Sequence, residues 1–90
     1  MSKVKISVTQ DDIDDGVPGH PYACAINRAL RRVYPKKIVA VEKDRVYFVR
    51  RPNDVIEHMA MLPHVAAIFV RAYDNGEEVA PFAFDLEIPE

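Results

Sequence analysis

Tryptophan is absent, and cysteine occurs once, at Cys24. One thiol excludes an intrachain disulfide framework and a cysteine-based zinc site. Glycine is scarce, with 3 among 90 residues. None of the three fits the G-x-x-x-x-G-K-[ST] or G-x-G-x-x-G loops that cradle phosphates. No apolar run approaches the ~18 residues of a membrane span. MSKVKISV at the start lacks the apolar stretch of a signal peptide. Neither sign of charge dominates, since 12 basic and 14 acidic residues leave a net charge of −2. Broad nucleic-acid binding goes with a basic excess and is not expected here. These absences point to a cytoplasmic protein of a reducing compartment, without membrane association.

What is present reads as one small folded domain over residues 1–90. The apolar fraction of 49% suits a globular chain and is too high for a disordered one. Val4, Ile6 and Val8 alternate with Lys3, Lys5 and Ser7, as in a strand with one buried face. Thr9 and Asp12 fit a capping box, and Gly16 fits the end of a helical turn, so residues 10–15 read as one short turn of helix. GVPGHP, residues 16–21, is a loop by composition. A helix follows over residues 25–34, with Ala23, Ile26, Leu30 and Val33 on one side. Arg28 and Arg31 lie on the other side, Arg32 lies near the edge, and Pro35 stops the helix.

Residues 37–42 and 45–50 read as strands around a Lys43-Asp44 turn, which places Glu42 opposite Arg45. Pro52, Asn53 and Asp54 break the chain. Residues 55–62 fit a strand. Val55, Met59 and Leu62 also have helical spacing, with Asn53 or Asp54 as a cap, but Pro63 suits the first turn of a new helix. That helix spans residues 63–73 with Val65, Ile68, Phe69 and Ala72 as its apolar stripe, and Asn75-Gly76 ends it. Phe82, Phe84, Leu86 and Ile88 alternate with Ala83, Asp85 and Glu87 in a last strand.

The order β-α-β-β-β-α-β predicts an α+β two-layer sandwich, with two helices on one face of a mostly antiparallel sheet. Such helices, each about 10 Å across, cover one side of a five-stranded sheet. The middle strands nevertheless carry apolar residues on both sides. Val39 and Val41 point opposite to Ile38 and Ala40, and Tyr47 and Val49 point opposite to Val46 and Phe48. A homo-oligomer that covers the second face is the expected arrangement.

Ligand binding is expected where the loop of residues 16–21 meets the basic helix. Backbone N–H groups at a helix start attract anions. Arg28 and Arg31 follow one and two turns later, and arginine's planar fork suits phosphate or carboxylate. Arg45, Arg50 and Arg51 flank the strand pair and can join them. His20 and Tyr22 would stack on a ring, and Cys24 stands at the helix start, where the helix field favours the thiolate, although a buried structural cysteine is the better reading of a thiol with no relay beside it. The acidic run Asp11, Asp12, Asp14 and Asp15 fits helix capping better than a metal site. Asp11, Ile13 and Asp15 before Gly16 miss the second ligand of an EF-hand loop. His20, His58 and His64 are scattered, so neither a metal nor a cofactor is expected.

CAINRALRR and DNGEEVAPFAFDLEIP together resemble a group of small phage and prophage accessory proteins. Those proteins show a C-P-I-A-L-A-L-like helix start and a G-x-x-V-x-P-F-x-F-x-L ending. Cys24, Ile26, Ala29 and Leu30 match the first motif, and Gly76, Val79, Pro81, Phe82, Phe84 and Leu86 match the second. Ala25 stands where the pattern has proline, and Asn27 and Arg28 replace small or apolar residues. The resemblance implies a phage accessory protein working inside a bacterial cell. By analogy it implies a non-enzymatic binding protein with an anti-defence role. The expected action is sequestration of an anionic, nucleotide-like small molecule by an oligomer, at His20, Tyr22, Cys24, Arg28 and Arg31. One alternative is an inhibitor that binds a host protein through an exposed sheet face. Another is a small thiol-dependent enzyme using Cys24 and His20. Nucleic-acid binding through Arg28, Arg31, Arg32, Lys36 and Lys37 is opposed by the four aspartates and the acidic tail.

Overall fold

The computed structural model describes residues 2–50, 53 and 55–88. Arg51, expected beside the basic helix, and Pro52 and Asp54, expected at a chain break, lie outside the described residues. The elements run β1 (Ser2–Val8), α1 (Gln10–Asp15), α2 (Ala25–Val33), β2 (Ile38–Glu42), β3 (Arg45–Arg50), β4 (Val55–Met61), α3 (His64–Asp74) and β5 (Phe82–Ile88). β1 and β5 both alternate apolar and polar side chains. They pair antiparallel, with Val4 opposite Leu86, Ile6 opposite Phe84 and Val8 opposite Phe82. The segment after Arg50 that fits either strand or helix is the strand β4. Pro63 leaves its carbonyl free to accept from Ala66 and Ala67 as α3 begins.

The architecture is α+β, with three helices and two antiparallel sheets in place of the expected single sheet. β1 and β5 form one sheet, and β2, β3 and β4 form a meander in the other. β4 packs beside β5, but no ladder joins them among the described residues. Strand periodicity settles which face of each strand is apolar, and it leaves open which strand edges meet across the chain. A bulge between Phe48 and Val49 breaks the β3–β4 register and adds local twist where β4 begins. The outer edge of β2 receives a loop in place of a further strand. Val41 N–H donates to the Pro21 carbonyl at 2.8 Å, and the Asn27 side-chain amide donates to the Val39 carbonyl.

One apolar core joins both sheets to α2 and α3, through residues such as Ile6, Ile26, Leu30, Val46, Phe69 and Leu86. In α2 the buried side chains include Ile26 and Leu30, as expected, but Val33 is exposed and Asn27 is fully buried. The apolar stripe of α3 is rotated from the expected one. Ala66, Phe69, Val70 and Tyr73 face the core, whereas Val65 is 54% and Ile68 49% exposed. The helix carries two overlapping apolar stripes that share Phe69. The stripe holding both large rings packs inward, because aromatic side chains remove the most area from water. Phe69 stacks between Tyr73, 5.6 Å away, and Phe82, 4.6 Å away.

Candidate functional site

The loop between α1 and α2 is folded tightly on itself. Val17 N–H donates to the Ala23 carbonyl at 2.8 Å, and two further backbone bonds link Val17, His20 and Ala23. Gly19 has a φ of 76°, the left-handed region that glycine occupies without strain. Its N–H donates to Asp74 Oδ1 at 2.8 Å, which ties the loop to the end of α3. A second tie is the Tyr73 hydroxyl, which donates to the Ile13 carbonyl at 3.0 Å. Burial raises the pKa of that hydroxyl.

Between this loop, α3 and the β2–β3 turn lies a cavity of about 300 Å³. Cys24, Ile26, Val41, Phe69, Val70 and Tyr73 form its apolar interior. His20, Glu42, Lys43 and Asp74 supply its polar edge. His20 and Cys24 are thus the two expected site residues that the fold brings to one cavity. Tyr22 is exposed and stands edge-on to His20, with ring centroids 6.4 Å apart. His20 Nδ1 accepts the Tyr22 N–H at 3.1 Å. Phe69, Tyr73, Lys43 and Asp74 are not among the site residues expected from the sequence. Only the i, i+4 spacing of Phe69 and Tyr73 marks a shared face there, and no local pattern links Lys43 to them.

Cys24 is a buried structural cysteine and not the activated thiolate that a helix start can favour. Its sulfur caps α2, accepting the Asn27 N–H at 3.5 Å. Burial pushes the thiol pKa up, by more than the N–H groups of Asn27 and Ile26 pull it down. Desolvation of the thiolate therefore outweighs the helix field, and the group is a thiol at neutral pH.

The arginines form a different cluster. Asp12 is 0% exposed. It closes the α1 capping box with Thr9, accepting the Thr9 N–H at 3.0 Å. Arg32 reaches Asp12 at 2.6 Å and the Ser7 carbonyl at 3.2 Å. Arg28 lies 3.6 Å from Asp12 and 3.7 Å from Asp15. Burial raises the Asp12 carboxyl, but the Thr9 N–H and the Arg32 guanidinium outweigh it and hold the group below its ordinary value of 3.8. Arg28 is thus engaged with the acidic run, away from the cavity, and Arg31 is exposed on the outer side of α2.

Among the described residues, no three His, Cys, Asp or Glu side chains converge as metal ligands would. No described helix is long and apolar enough to cross a membrane. No protein-family model matches this chain, and neither a curated protein nor a solved structure matches it significantly.

Proposed function

We propose that the protein is a non-enzymatic, phage-type accessory protein that binds a small molecule in the cavity between the loop before α2, the β2–β3 turn and α3. The observation that carries this reading is the cavity itself. Its volume of about 300 Å³ reaches the lower end of the range for ligand pockets, and it combines an apolar interior with a few polar groups at the edge. The raised thiol pKa and the engagement of His20 Nδ1 with Tyr22 favour binding over thiol chemistry. Sequestration of a host signal is the anti-defence role that such a site would serve. The test is a two-dimensional amide NMR titration with small aromatic compounds of each charge type. Saturable shifts at Cys24, Lys43, Val70 and Asp74 support the reading. If no compound moves those amides, the reading fails.

A second reading is self-association through the outer face of β2-β3-β4. On that face Ile56 is 56%, Met59 43% and Met61 51% exposed, beside half-buried Tyr47 and Val49. Glu42 and Arg45 sit opposite one another at one end of the same face. A two-fold axis there sets each against its opposite in a second copy. Light scattering on the wild type and on Met59→Asp is the test. A dimer that the substitution dissociates supports it, and a wild-type monomer at high concentration refutes it. The alternative occupant of this face is a host protein.

A further inference from the structure

The register of the meander lays out its outer face row by row. At the end nearest the β2–β3 turn, Glu42, Arg45 and Met61 stand side by side. At the far end the bulge brings Ile56 level with Val49 and Ile38. Between these rows Tyr47 faces Met59. Charge in these rows is therefore confined to one end, as one carboxylate beside one guanidinium, and both are exposed. Within the chain Arg45 meets Asp44 through Nε at a loose 3.8 Å, which leaves its terminal nitrogens for another acceptor. Two face-to-face arrangements of this surface have two-fold symmetry. With the axis across the strands, the turn end of one copy meets the far end of the other. Glu42 and Arg45 then lie on Ile38 and Val49 of the second copy, losing water and gaining no partner. With the axis along the strands, the turn ends meet. Each Arg45 then has Glu42 of the second copy on its own row, twice over by symmetry. The apolar rows cover one another in both arrangements, so the charges decide between them.

We propose that two copies pack face to face with the two-fold axis along the strands, so that both β2–β3 turns lie at one end and Arg45 of each copy pairs with Glu42 of the other. This inference rests on the self-association reading above and fixes its geometry and its charged contacts. Glu42 and Lys43 also border the cavity, so both cavities stand at the same end of the assembly. The face offers fewer positions than the about 20–30 residues a side of a standard interface. The dimer is accordingly weak and sensitive to its two ion pairs.

The experiment compares the full chain, Glu42→Arg, Arg45→Glu and an equal mixture of the two variants by sedimentation velocity at high concentration. Glu42→Arg presents two arginines at the turn end, and Arg45→Glu presents two glutamates. Each variant's own dimer sets like charges together and should be weaker than the wild type by about tenfold or more. In the mixture the arginine end meets the glutamate end, and a heterodimer at least as tight as the wild-type dimer should form. Both positions are exposed, and an unchanged circular dichroism spectrum establishes that each variant is folded. Single variants that dimerise like the wild type, or a mixture that stays monomeric, would overturn the same-end arrangement and leave self-association standing. A monomeric wild type removes both.

Discussion

Replacing Gly16 by alanine places a methyl carbon 2.6 Å from the Tyr73 hydroxyl, 2.7 Å from the Asp12 carbonyl oxygen and 2.8 Å from the Ala25 nitrogen. All three are closer than ordinary van der Waals contact, and two belong to backbone that cannot step aside cheaply. The backbone at Gly16, with φ −73° and ψ 161°, is a conformation that alanine adopts freely. Without the contacts, the substitution would therefore stabilise the protein by about 0.4–1 kcal/mol through the unfolded chain. The structure sets the opposite sign. Overpacking costs about 1–3 kcal/mol. If Tyr73 moves, its bond to the Ile13 carbonyl goes too, at about 0.5–1.5 kcal/mol. The expected net loss is about 1–3 kcal/mol. For a chain of this size each kcal/mol lowers the melting temperature by roughly 4–8 °C. Urea and thermal unfolding followed by circular dichroism measure it. The double variant Gly16→Ala/Tyr73→Phe should lose less than the sum of the single losses, because the missing hydroxyl removes one of the three contacts. A Gly16→Ala protein as stable as the wild type, or more so, would refute the close packing of this loop against α1, α2 and α3.

The remaining expectations concern charge, thiol chemistry and the aromatic stack. Asp12→Asn keeps the shape but removes the charge facing Arg28 and Arg32; because both arginines are partly exposed, the loss at pH 7 should be about 1–3 kcal/mol by urea unfolding. The carboxyl of Asp12 titrates lower in the folded chain than in the unfolded one. Its contribution is therefore present above pH 3.8 and is lost as the pH falls through the folded value, so wild type and Asp12→Asn should converge in stability in acid. Cys24 should react with iodoacetamide at pH 7 about tenfold or more slowly than a free thiol, and a faster rate would contradict its burial. Phe69→Ala should cost about 3–5 kcal/mol, read from the urea midpoint, because it empties the middle of the stack between Tyr73 and Phe82.

Local chemistry made most elements legible. The capping box of Thr9 and Asp12, the Pro63 start of α3 and the period-two pattern of β5 all occur as the residues imply. The Glu42–Arg45 register of the hairpin follows from its two-residue turn in the same way. Long-range choices were not legible. β1 and β5 pair across nearly the whole chain, and nothing in their alternation says that β4 stays out of the ladder. In α3 the Val65/Ile68 and Ala66/Val70/Tyr73 stripes are both apolar, and only the position of the core decides between them. The candidate site divides similarly. His20 and Cys24 are close in sequence and meet at the cavity, whereas Arg28 is drawn to Asp12 and Asp15 by the way α1 docks on α2. Lys43 comes to the cavity edge from the β2–β3 turn, which only tertiary folding places beside α3.

The bonds at the rim of β2 also bear on how the molecule behaves in a crowded solution. A naked strand margin is a template on which other chains can polymerise. Here the Pro21 carbonyl and the Asn27 amide already occupy Val41 N–H and the Val39 carbonyl. A stranger's strand would have to displace a proline-containing loop and strip a buried amide of its acceptors before it could add. Strand addition at that rim is therefore opposed, and the gatekeeper is the loop that also walls the cavity.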